Sequence, residues 1–134
     1  MKILYTDGGC SRNWQKNPAL RKIISVVTDD SGKPLVEKKN WGGSNNIAEL
    51  LAVKEALMWA LNNNHREIEV RTDSKNNFAW VFGKKLGEKL NDRAAVENLK
   101  TSIQALRQDV KLTLVWVPRE ENLAGFYIEK KHSL

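Results

Sequence analysis

The spacing of apolar residues along the chain changes between periods of two and of about four, and these changes mark out its elements. Residues 2–7 (Lys-Ile-Leu-Tyr-Thr-Asp) read as a first strand, ended by a turn at Gly8-Gly9. Residues 21–28 (Arg-Lys-Ile-Ile-Ser-Val-Val-Thr) predict a second strand. Asp29-Asp30-Ser31-Gly32 has the composition of a hairpin turn, so Pro34 to Trp41 pairs back as a third strand. Asn46 to Asn62 is the clearest helix, with an Asn-x-x-Glu capping pattern at its start and an Asn triplet at its end. Glu67 to Thr72 is a fourth strand, placing Ile68, Val70 and Thr72 on one face. Ser74 is positioned to cap a short helix that stops near Gly83. Ala94 to Gln108 carries Val96, Leu99, Ile103 and Leu106 at helical spacing. Lys111 to Val117 is a fifth strand, stopped by Pro118, and a final helix starts at Asn122.

Three strands in meander, followed by helices alternating with strands, describe an α/β domain. Its five-stranded mixed sheet has an antiparallel first half, and the later strands run parallel to the first, flanked by helices. With no linker, repeat or low-complexity tract, residues 1–134 are expected to form a single domain. Ligands of such sheets bind beyond the carboxyl ends of adjacent central strands. Asp7 and Asp73 are each expected to end a strand, which draws attention to them.

Composition adds little until charge is considered. Hydrophobic residues make up 41% and charged residues 28% of the chain, as in ordinary globular proteins. No apolar run has the length of a membrane span, and the first residues turn polar too soon for a secretory signal. Cys10 stands alone, which excludes a disulfide framework and a thiolate metal cluster and fits a reducing cytoplasm. The net charge of +6 favours a polyanionic partner, nucleic acid being the commonest.

The candidate chemistry lies in three acids on three elements. Asp7, in Tyr-Thr-Asp-Gly-Gly, has a plain alternative as a turn residue. Glu49 can cap its helix by reaching back to Asn46. It also shares a helical face with Ala52, Val53, Ala56 and Ala60, a face that should pack on the sheet. A carboxylate at the entrance of a buried face is unfavourable unless paired or bound to a cation. Asp73 precedes Ser74, which can cap the next helix without its help. Three carboxylates suit a hard cation such as magnesium, and two such ions about 4 Å apart can promote phosphodiester hydrolysis. The two histidines form no competing cluster, and His65 reads as a loop residue.

Four segments together, Tyr-Thr-Asp-Gly-Gly-Cys-Ser, Asn-Asn-Ile-Ala-Glu-Leu, Arg-Thr-Asp-Ser and Trp-Val-Pro-Arg-Glu-Glu-Asn, resemble the type-one ribonuclease H family, in its order, from residue 2 to about 129. The resemblance implies the ribonuclease H fold and an endonuclease that cuts the RNA strand of RNA–DNA hybrids. It implies Asp7, Glu49 and Asp73 as ligands of Mg2+, with Mn2+ as a substitute, and Asn13, Ser44 and Asn45 as contacts to the hybrid backbone. Arg119 matches the branch of the family that carries Arg where others carry His. Arg is not a base at neutral pH, so phosphate contact is its expected role, with a plain surface arginine as the alternative. A monomer is the default.

The chain departs from the family at the fourth acid. An Asp is expected four residues after Asn122, where an ungapped count reaches Phe126 and a single gap gives Gly125. Glu129 is the nearest replacement, its alternative being a solvated residue of a Glu-Lys-Lys tail, and Asn122 reads as a helix cap. The loss makes a catalytically weak or silent nucleic-acid-binding module the rival reading, while Asn13, Ser44 and Asn45 argue against a changed substrate. The basic stretch with Lys84, Lys85, Lys89 and Arg93 is short, and offers either phosphate contacts or solvated surface. Trp80 is read as core or as a sugar-stacking residue, and Trp14, Trp41, Trp59 and Trp116 as structural.

Overall fold

A computed structural model describes residues 1–11, 14–81 and 93–132. Strands β1 (Lys2–Ser11), β2 (Lys22–Asp29) and β3 (Pro34–Trp41) form an antiparallel meander. Helix α1 (Asn45–Asn62) leads to β4 (Glu67–Thr72), α2 (Lys75–Val81), α3 (Arg93–Leu106), β5 (Lys111–Trp116) and α4 (Leu123–His132). The sheet order is β3-β2-β1-β4-β5, with β4 parallel to β1 and β5 parallel to β4, as the element order predicts. Asn13, Lys84, Lys85 and Lys89 lie outside the described residues.

Each face of the sheet has its own core, because successive strand side chains point to opposite sides. Leu4, Ile23, Val27, Ile68, Val70, Leu112 and Leu114 face α1 and α3, whose Val53, Ala56, Leu57, Val96 and Ile103 are buried against them. Tyr5, Ile24 and Val26 point the other way and meet Ala124 and Ile128 of α4. The small face of α1 packs as its spacing predicts: Ala52, Val53, Ala56 and Ala60 are fully buried.

Two details differ from expectation, and both shape the site. The first strand does not stop at Gly8-Gly9 but runs on to Ser11, paired throughout this stretch with β2. Its pairing with β4, in contrast, ends at the Tyr5–Arg71 step. Asp7 therefore lies within a strand rather than at its end, at the point where β1 outruns β4 and the sheet opens. The glycines serve close packing here: a Cβ on Gly8 would lie 2.3 Å from the Ala48 carbonyl carbon and the Glu49 nitrogen. Secondly, α1 starts at Asn45 and is capped by Ser44, whose hydroxyl accepts from the Ile47 N–H at 3.3 Å. Asn46, read as the cap, therefore lies inside the first turn of the helix, and Glu49 lines the sheet opening.

The tryptophans divide differently from the structural role expected of them. Trp80 belongs to the core, and Trp59 packs against it and stacks on His65 at 5.2 Å. Trp14 and Trp41 are instead largely exposed, on the loop after β1 and at the end of the edge strand β3. No helix of the described residues is long and apolar enough to cross a membrane.

Candidate metal centre

The opening between β1 and β4 is the floor of a cleft of about 510 Å³, lined among others by Asp7, Asn45, Glu49, Asp73, Arg119 and Glu129. One carboxylate oxygen from each of Asp7, Glu49 and Asp73 lies within 4.8 Å of the others. They come from β1, the first turns of α1 and the residue after β4. These are three elements far apart in sequence, brought together by the parallel β1–β4 pairing.

Each carboxylate is placed by local packing. Glu49 is brought to Asp7 because α1 presses its first turn on Gly8, and because the buried Ser25 hydroxyl donates to the Ala48 carbonyl at 2.7 Å. Asp73 is fixed from several sides. The Val117 N–H donates to the Thr72 carbonyl at 2.9 Å, and the Trp116 indole N–H donates to the Asp73 carbonyl at 3.2 Å. The Thr72 hydroxyl accepts from the Ser74 N–H at 3.1 Å and from the buried Asn77 amide at 3.3 Å.

Asn122 does more than the helix cap read from the sequence. Its side-chain oxygen accepts from the Ala124 N–H at 3.1 Å, which is the cap. Its amide also donates to the Thr6 carbonyl at 3.0 Å and to Asp73 Oδ2 at 3.2 Å. Thus one buried residue joins α4, β1 and the carboxylate cluster. Asn77, Trp116 and the Asp73-bonding arm of Asn122 were not anticipated; Trp116 and Asn122 act on Asp73 across 43 and 49 residues, where local pattern carries no signal, and Asn77 acts through Thr72, five residues before it.

Crowding like charges in a partly closed cleft disfavours the ionised forms. Burial, opposed by a hydrogen bond from Glu49 and reinforced by the charge of Asp73, pushes the Asp7 carboxyl up to about 6. Burial and the neighbouring Asp7 push Glu49 well above the usual carboxylate range. Glu49 Oε2 is buried and has no hydrogen-bond partner. An unpartnered buried carboxylate oxygen beside two other acids is the donor arrangement a divalent cation satisfies, and all three are hard oxygen ligands. The residues present therefore fit a hard divalent cation.

The remaining expected contacts divide. Asn45 and Arg119 line the cleft, and Ser44 uses its hydroxyl as an acceptor in the α1 cap. Arg119 Nη2 also bonds Glu129 Oε1 at 3.1 Å. The two candidate positions for the missing acid are separated by α4 itself. Gly125 faces the cluster, where a Cβ would lie 3.3 Å from Asp7 Oδ2, whereas Phe126 is 45% exposed and turned away. Lys75, which also lines the cleft, sits with its Nζ 5.7 Å from the Trp116 ring centroid.

Comparison with known proteins gives a consistent picture. The family model described as RNase H matches residues 1–124. The crystal structure of RNase H1 from the halophilic archaeon Halobacterium salinarum NRC-1 superposes with a TM-score of 0.69 at 22% identity, covering 94% of this chain and 92% of that one. LC11-RNase H1, isolated from compost by a metagenomic approach, superposes with a TM-score of 0.66 at 29% identity, covering 96% of each chain. Its crystal structure in complex with an RNA/DNA hybrid superposes with a TM-score of 0.63 at 27% identity, covering 91% of this chain and 88% of that one. No curated protein sequence matches the chain.

Proposed function

The chain belongs to the RNase H family, and from that membership we propose that it is an endoribonuclease hydrolysing the RNA strand of RNA–DNA hybrids. The observation that carries this reading is the convergence of Asp7, Glu49 and Asp73, with Glu49 Oε2 buried and unpartnered, in a cleft open to solvent. The hybrid bound in the LC11-RNase H1 structure supports the choice of substrate.

In this reading Asp7, Glu49 and Asp73 hold two Mg2+ ions, for which Mn2+ can substitute. When bound, the ions supply Lewis-acid activation of a water and neutralise charge at the leaving oxygen. The protein's own part is positioning. Gly8 and Ser25 seat Glu49 against Asp7, while Asn122, Trp116 and Thr72 hold the Asp73 segment. Little reorganisation is then left for the moment of reaction. Asn45, with Ser44 and Asn13, contacts the hybrid backbone, and Arg119 takes a phosphate, since a guanidinium presents paired donors to phosphate oxygens. Selection of the hybrid follows from its 2′-hydroxyls and groove shape. The protein acts as a monomer in the cytoplasm.

The rival reading, a hybrid-binding module with little or no turnover, rests on Gly125, which presents no side chain to the cluster. Incubation of a labelled hybrid with Mg2+ or Mn2+, beside duplex RNA, duplex DNA and Asp7→Asn, separates the two. Cutting of the hybrid's RNA strand alone, lost in Asp7→Asn, is the expected result. Binding without cleavage under either metal establishes the silent module.

A further inference from the structure

The cleft contains a fourth acid that the three-carboxylate cluster does not include. Glu129 lines it from α4, four residues after Gly125. Residues four apart share a helix face, and a helical side chain leans back over the turn that precedes it. Glu129 therefore extends toward the turn that carries Gly125. At Gly125 there is no side chain in the way. The nearest atoms to a Cβ there would be Asp7 Oδ2 at 3.3 Å, a tight approach, and Asn122 Cβ at 3.7 Å, so the bare glycine brings α4 directly against Asp7 with no side chain between the helix and the cluster. The unpartnered Glu49 Oε2 marks the same cluster as a place where ligands converge.

Glu129 is not free in this arrangement. Its Oε1 accepts from Arg119 Nη2 at 3.1 Å, with side chains 57% and 78% exposed respectively. An exposed ion pair contributes little stability, because two long side chains lose freedom to hold one geometry in a high-dielectric setting. Arg119 lines the same cleft and is suited to a phosphate.

We propose, on the reading of this cleft as a hybrid-cleaving metal centre, that Glu129 is its fourth carboxylate. Arg119 holds it in the free protein, and it is released toward the cluster when Arg119 engages a substrate phosphate. The longer Glu side chain, set one helical turn beyond Gly125, takes the place of a shorter acid at the glycine. Arg119 couples substrate arrival to completion of the site.

The test is Mn2+ affinity measured by calorimetry without nucleic acid, in an Arg119→Gln background that leaves Glu129 unheld. Adding Glu129→Gln should weaken Mn2+ binding roughly tenfold, the effect of losing one charged ligand. Glu129→Asp should weaken it nearly as much, because it keeps the charge but shortens the reach. Adding Gly125→Asp to Glu129→Gln should restore the affinity by supplying the carboxylate directly. Binding by the Glu129→Asp protein equal to that of its Arg119→Gln parent, or no effect of Glu129→Gln, overturns the proposal. Asp7→Asn in the same background separates the two levels of inference. If it abolishes Mn2+ binding while the Glu129 variants do not, only the role of Glu129 fails. If Mn2+ binding survives Asp7→Asn, the metal-centre reading fails with it.

Discussion

Asp7 shows how a single residue sets a balance between stability and function. Its carboxyl is pushed up to about 6 in the fold, against an ordinary 3.8. The folded chain therefore binds this proton more tightly than the unfolded chain. Stability from this source is fully present below about pH 4 and is lost as pH rises toward 6. A shift of this size corresponds to something on the order of 3 kcal/mol, spread over the Asp7–Glu49 pair. Without divalent cations at pH 7–8, Asp7→Asn should therefore melt several degrees above the wild type. That advantage should shrink to nothing near pH 4. With millimolar Mn2+ the order should reverse, since a cation that binds only the folded wild type stabilises it by mass action. Melting curves by circular dichroism in chelator and in Mn2+ check both statements; a lower melting point for Asp7→Asn in chelator at pH 8 would contradict the strain assigned to this cluster.

At the scale of elements, the position of α4 decides the geometry of the cleft. Ala124 and Ile128 bury against Tyr5, Ile24 and Val26, and this contact sets the rotation of the helix about its axis. Successive residues are turned by about 100°, so with Ala124 and Ile128 inward, Gly125 faces Asp7 and Phe126 faces water. Asn122 anchors the start of the helix with three side-chain hydrogen bonds, to Ala124, Thr6 and Asp73. Asn122→Ala leaves those buried partners unpaired, and should destabilise the protein by about 2–4 kcal/mol. Amide exchange should quicken in the first turn of α4, and kcat for hybrid cleavage should fall more than KM changes, because Asp73 loses a support rather than the substrate a contact. A loss of stability with unchanged kcat would make Asn122 a cap and nothing more.

For the whole molecule, electrostatics act at longer range. The net charge of +6 attracts a polyphosphate before any specific contact forms. The three acids, meanwhile, concentrate negative charge at the floor of the cleft, where cations are wanted. Binding of hybrid by the inactive Asp7→Asn variant should therefore weaken steeply with salt. A log–log slope steeper than about −2 is expected, equivalent to the displacement of at least two or three condensed counterions. Fluorescence anisotropy across a salt series measures it, and a flat dependence would remove the basis for phosphate contacts by Arg119 and its neighbours.

The elements and their order were legible along the chain, because strand alternation, helical spacing and turn residues are short-range consequences of backbone geometry. The same local rules drew attention to Asp7, Glu49 and Asp73 as acids on three elements, although a turn could account for Asp7 and a cap for Glu49, and it was the resemblance to the family that assigned all three to a metal. What packing decided lay where several local solutions were nearly equal. Ser44 and Asn46 both suit a cap, and the choice fell to Ser44 because α1 begins where its first turn can close on Gly8 and Ser25. Phe126 and Gly125 both suited the count from Asn122, and only the burial of Ala124 and Ile128 turned the glycine inward. The bonds from Asn122 to Thr6 and Asp73 span 116 and 49 residues. A pattern local to either end contains no trace of them, because the partner is chosen by how the sheet and helix close on each other.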